Sequence, residues 1–156
     1  MMKIKIVSVG SIKEKFLKDA ISEYLKRLTR FAKIEIIEVD ETKIQNKSEE
    51  QVKKEEGERL LKRIGQDEFV FLLDLKGELI SSEVLAQKIN DLINKGISPL
   101  TFVIGGTLGL SEEVRKRANI KLSFSKMTFT HQMCRMIILE QIYRAFKIIN
   151  NEEYHH

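Results

Sequence analysis

Apolar and polar residues change period along this chain, and the changes separate strands from helices. Over residues 3–9 the order Lys-Ile-Lys-Ile-Val-Ser-Val alternates until Gly10 ends it, which predicts a strand with one apolar face. Ile12, Phe16, Leu17, Ala20, Ile21, Tyr24, Leu25 and Leu28 then recur at helical spacing and predict an amphipathic helix. Residues 33–39 form a second strand, β-branched and charged, expected near a sheet edge. The polar stretch 40–47 is expected to be a mobile loop. Ser48-Glu-Glu-Gln51 reads as a capping box that opens a highly charged helix running to about Ile64.

The next strands are of another kind. Phe69-Val-Phe-Leu-Leu-Asp-Leu75 is nearly continuous in apolar residues, as expected of a strand covered on both faces in a parallel sheet. Leu100-Thr-Phe-Val-Ile104 repeats that signature. Between them Ser81 or Ser82 caps a helix that runs through Lys95 and stops at Gly96. Ser111-Glu-Glu opens a short helix, 120–123 is a short strand, 124–130 a polar and aromatic loop, and 131–150 a long closing helix. Strand and helix alternate throughout. The expectation is an α/β fold with a mainly parallel sheet covered by helices on both faces, in one domain over residues 1–156.

Composition narrows the class. At 42% apolar and 32% charged, with a single Pro, the chain is neither disordered nor low-complexity. One cysteine, Cys134, excludes an intramolecular disulfide and a Cys-rich zinc site, and suits a reducing cytoplasm. No apolar run approaches the roughly 20 residues of a membrane helix, and the start lacks a signal-type block, so a cytoplasmic protein is expected. Net charge is +4, unevenly spread: from Arg115 to Lys147, the eight basic residues Arg115, Lys116, Arg117, Lys121, Lys126, Arg135, Arg144 and Lys147 stand against one acid, Glu140. Such a basic segment is either a solvated surface or the footprint of a phosphate-rich partner.

Candidate chemistry gathers at one edge. In open parallel sheets, ligands bind at the carboxyl ends of the strands, where helix N-termini and free backbone N–H groups converge. Leu73-Asp74, Gly105-Gly106 and 124–129 should all arrive there. The Gly-Gly-x-x-Gly run at 105–109 is neither a dinucleotide fingerprint nor a Walker A loop, and by itself serves equally as a turn or as a ligand cradle. Twelve of the eighteen residues in 133–150 are apolar and cover almost the whole helix circumference, so a second subunit is expected on one side. With Arg135 at zero, Lys147, Glu140 and Arg144 fall at about 120°, 140° and 180°, a narrow polar stripe. His131 lies about 40° from Arg135, on the other side. A guanidinium there needs a carboxylate, a carbonyl or a phosphate. His131 and Cys134 alone do not make a metal site. The tail Tyr154-His155-His156 is either frayed or part of a substrate site.

Phe102-Val-Ile-Gly-Gly-Thr-Leu-Gly-Leu, Leu122-Ser-Phe-Ser-Lys-Met-Thr-Phe-Thr-His-Gln-Met-Cys-Arg, Glu140-Gln-Ile-Tyr-Arg-Ala-Phe-Lys and the closing Tyr154-His155 resemble the ribosomal large subunit methyltransferase H family, over essentially the whole chain. The resemblance implies a small SPOUT-class homodimer with a C-terminal trefoil knot. It implies methylation of N3 of a pseudouridine in helix 69 of 23S ribosomal RNA, with S-adenosylmethionine as donor. Matched by motif, Leu73, Gly105, Phe124, Ser125, Lys126, Met127, Thr128 and Phe129 would hold the donor, and His131, Arg135, Arg144, Tyr154 and His155 would face the RNA or its reacting base. Two residues depart from the family pattern: Thr130 stands where a Pro is common, and His156 where Lys or Arg is usual. The alternatives are a non-catalytic nucleotide- or RNA-binding module, or a sibling enzyme acting on transfer RNA.

Overall fold

The computed structural model describes residues 1–153; the tail residues Tyr154, His155 and His156 lie outside the described residues. In chain order the elements are β1 (Met2–Val9), α1 (Lys15–Leu28), β2 (Ala32–Val39), α2 (Glu49–Lys62), β3 (Phe69–Leu79), α3 (Ser82–Asn94), β4 (Leu100–Ile104), α4 (Glu112–Arg117), β5 (Ile120–Ser123) and α5 (His131–Ile149). The strands form one sheet in the order β2-β1-β4-β3-β5, and every neighbouring pair is parallel. The charged strand β2 is an edge, as its composition predicts. The continuously apolar β4 is central and buried at all five residues.

Both faces are covered, which is why the central strands lack polar alternation. On one face Ile4, Ile6, Phe71 and Phe102 pack against Ile21, Ile89, Ile138, Leu139 and Ile142 of α1, α3 and α5. Phe71 and Phe102, paired across β3 and β4, stack with ring centroids 4.6 Å apart. On the other face Val7, Val9, Leu72 and Val103 meet Leu60 of α2 and Val114 of α4.

Three expectations change. The β3 strand does not stop at Leu75: Leu73 and Glu78 both pair with Leu122, so residues 74–77 bulge out of the ladder. Pairing with β5 carries the strand on through Lys76-Gly77-Glu78 to Leu79. The segment 40–47 is stapled to α2 instead of hanging free. Thr42 N–H donates to Glu56 Oε2 (2.9 Å), Arg59 Nη1 donates to Asp40 O (2.9 Å) and Thr42 Oγ1 (2.6 Å), and Lys47 pairs with Glu55 (2.8 Å). Finally, Phe16, assigned to the apolar face of the first helix, is 63% exposed, and the buried face of α1 is formed by Leu17, Ile21 and Leu28.

The helix starts follow the chemistry of their caps. Ser48, Ser81 and Ser111 each accept the N–H three residues on. At α5 the cap is Thr130, whose φ of −61° lies where proline would put it and whose Oγ1 accepts from Met133 N–H at 3.2 Å. A capping threonine thus does the work of a ring-locked φ. Thr130→Ala is expected to lower unfolding stability by about 1 kcal/mol in urea titrations, while Thr130→Ser stays within about half of that.

Candidate active site

The carboxyl ends of β3, β4 and β5 open into a cavity of about 800 Å³, within the range of small-molecule sites. Its walls include Leu73 and Asp74 from β3, Gly105 and Gly106 after β4, and Phe124, Ser125, Met127, Thr128 and Phe129 after β5, with His131, Gln132 and Cys134 at one side. Of the residues matched to the donor, Lys126 is exposed and is not part of the wall.

Local chemistry explains the shape. A Cβ on Gly105 would stand 2.6 Å from Leu110 Cδ2, and one on Gly106 2.6 Å from Glu56 Oε1, so a side chain at either position would have to push a neighbouring side chain aside. Gly109, at a φ of +103°, closes the turn by donating its N–H to Gly106 O at 3.1 Å. After β5, Ser123 Oγ donates to Ser125 O (2.9 Å) and Met127 N–H donates to Ser125 Oγ (3.0 Å), folding the loop over the cavity. The bulge at Asp74 is held from both sides: Lys76 N–H donates to Oδ1 (3.0 Å) and Arg115 Nε to Oδ2 (3.1 Å). Arg115 also donates to Leu110 O at 3.3 Å, tying the bulge to the glycine turn. Met127 at 75% and Phe129 at 45% expose much of their apolar surface. A bare glycine backbone facing Leu73, Leu122, Phe124 and Met127 suits an adenosine joined to a thioether-like chain, so the cavity fits S-adenosylmethionine.

The other predicted residues divide. His131 lines the cavity, and burial holds its imidazole below the ordinary pKa, helped by Arg135 and Lys13 and opposed by Glu41. Arg135 turns away from it. It is 2% exposed, pairs with Glu38 Oε2 and donates to Gly10 O at 3.0 Å. In the structure it staples α5 to the ends of β1 and β2. Arg144 donates to Glu140 through Nη2 (2.6 Å) and Nε (3.1 Å). It stands thirteen residues beyond His131 on α5, about 20 Å along the axis. Tyr154 and His155 lie outside the described residues. Burial raises the thiol pKa of Cys134.

Much of the basic third is consumed internally. Arg115, Arg135, Arg144 and Lys147 pair with Asp74, Glu38, Glu140 and Glu152, and Arg117 donates to Gly65 O (2.7 Å) and Glu68 O (2.8 Å). Lys116, Lys121 and Lys126 are exposed and make no ion pair among the described residues. Two of the accepting acids, Glu38 and Asp74, lie far away in sequence from Arg135 and Arg115, and no local pattern announces them, whereas Glu140 stands at i,i+4 spacing from Arg144.

The class that this sheet and cavity define is a parallel α/β protein with an open ligand-sized cavity at its carboxyl rim. Residues 2–155 match the family described as predicted SPOUT methyltransferase. The chain is 55% identical to the ribosomal RNA large subunit methyltransferase H of Carboxydothermus hydrogenoformans and 53% identical to that of Ruminiclostridium cellulolyticum, over 99% of each chain. It is likewise 53% identical to the Clostridium botulinum protein of that name. The chain belongs to the ribosomal RNA large subunit methyltransferase H family of SPOUT methyltransferases. It is a methyltransferase, and its donor is S-adenosylmethionine.

Proposed function

We propose that this protein methylates large-subunit ribosomal RNA at N3 of a pseudouridine in helix 69, as a cytoplasmic homodimer of one-domain subunits spanning residues 1–156. The trefoil knot implied by the resemblance belongs to the same reading. The observation that carries it is the joining of Leu73, Gly105-Gly106, Phe124, Ser125 and Met127-Thr128-Phe129 around one cavity with His131 in its wall. Among the described residues no helix is long and apolar enough to cross a membrane.

When bound, the donor supplies a methyl group on a cationic sulfur. The chain's own task is to align that group with the base and to manage the imide proton. Backbone and side chains of 124–129 hold adenosine, and Gly105 admits it closely. The lowered pKa leaves His131 neutral near pH 7, with a free ring nitrogen to accept the proton from N3. Arg144, so far from His131 along its own helix, reaches a reacting base only in the partner's site. The outer face of α5, with Met133, Met136 and Ile137 half-buried in the single chain, supplies the apolar surface for that pairing.

Calorimetry with S-adenosylmethionine tests the pocket, and mass mapping of ribosomal RNA from deletion and rescued cells tests the target. A methyl group that disappears from transfer RNA instead would assign the sibling reading. The pH dependence follows from His131. A base whose pKa is lowered works above that pKa, so kcat/KM should hold at pH 7 and fall only below the ordinary histidine value of about 6.5. The acid limb should vanish in His131→Gln. A limb left in place by that substitution would exclude His131 as the base.

A further inference from the structure

Glu56 lies on α2, on the opposite side of the glycine turn from the cavity. It is 5% exposed, and its two oxygens differ. Oε2 accepts Thr42 N–H at 2.9 Å, whereas Oε1 is buried without a hydrogen-bond partner among the described residues. That unpartnered oxygen abuts Gly106, where it would stand 2.6 Å from a Cβ, and Gly106 is itself part of the cavity wall. One glycine's thickness of backbone therefore separates an unmet carboxylate oxygen from the donor space.

The surroundings do not neutralise it. Burial raises its pKa above the ordinary carboxylate value and Glu41 raises it further, against a lowering from the Thr42 N–H bond and from Arg59. Arg115, a cation in the cavity wall, is already engaged by Asp74 and the Leu110 carbonyl. Arg59, the cation that acts on it, is bonded to Asp40 O and Thr42 Oγ1 and makes no bond to Glu56 Oε1. A buried acid so weakly compensated is costly, and the cost falls when a further cation arrives nearby. The methyl donor brings such a cation. Its sulfonium carries a positive charge, and its demethylated product, a neutral thioether, has lost it.

We propose that Glu56 is a specificity-determining residue that favours the charged methyl donor over the demethylated product, acting across the thin backbone of Gly106. The inference rests on the donor reading of the cavity. Contacts to adenosine are common to donor and product, so they cannot discriminate the two. A fixed negative charge beside the wall can, and it also speeds exchange of spent product for fresh donor.

Glu56→Gln keeps the size of the side chain and an acceptor for Thr42 N–H while removing the charge. It relieves a desolvated carboxylate, so its Tm should not fall below that of the parent. Calorimetry at pH 8 with S-adenosylmethionine and with S-adenosylhomocysteine reads the ratio of their dissociation constants. In Glu56→Gln, donor binding is expected to weaken about tenfold and product binding to stay within about twofold. Parallel weakening of both ligands, or no change in either, would overturn the assignment. Should the glutamine variant fail to fold, Glu56→Leu fills the same buried space without charge and reads the same ratio. If the parent protein itself binds no donor, the reading of the cavity fails. If the parent binds and the ratio is unmoved, only the role of Glu56 fails.

Discussion

Arg144→Ala is expected to slow methyl transfer to ribosomal substrate by about a hundredfold while donor affinity stays within about twofold. The reason is distance. The donor space is built from residues 73–74, 105–106 and 122–132, and Arg144 is not among its walls. In the proposed homodimer, Arg144 would favour the imide anion or clamp an RNA phosphate from the partner subunit, acting on the transition state and leaving the donor's ground state alone. Its pair with Glu140 is one turn long and partly exposed, so Tm should shift by a few degrees at most. Single-turnover rates and calorimetry on the same preparation separate the two effects. Comparable loss of donor binding would place Arg144 in the donor site instead.

Arg135→Ala should have its main effect on stability, about 2–3 kcal/mol in urea unfolding at pH 7. The substitution empties a buried volume and strips Gly10 O of its donor. It also leaves Glu38 unpaired, but that side chain is 43% exposed and recovers water, which keeps the loss below that of a fully buried pair. Arg135→Lys should recover less than half, because one ammonium does not span both the carboxylate and the carbonyl as the planar fork does. Combined with Glu38→Gln the losses should fall short of their sum, since both substitutions break the same bond. Full additivity would mean that the two residues do not act as a pair.

The contrast between these two arginines marks how far the sequence could be read. Helical angles separate Arg135 from the stripe of Glu140, Arg144 and Lys147, and that separation holds. What Arg135 meets was open: a carboxylate, a carbonyl or a phosphate. The structure supplies the first two from Glu38 and Gly10, roughly a hundred residues away. Glu56 was silent for a similar reason. In sequence it is one acid in a charged helix, and only the approach of Gly106 and the loop after β2 leaves one of its oxygens buried and unpaired. The bulge at Asp74 was hidden as well, because the apolar run ends at Leu75 and the continuation as strand depends on pairing with β5.

Periodicity, apolar runs and cap residues act within a few positions along the chain, and they determined the strands, the helices, the helix starts and the rim at which the three ligand segments meet. Tertiary structure decided which charges are consumed as staples and which are left to act, because the electrostatic role of a side chain is set by what lies within about 4 Å of it in space. For this protein that distinction separates Arg115 and Arg135, which hold the fold, from Glu56, whose unpaired oxygen faces the cavity through a single glycine.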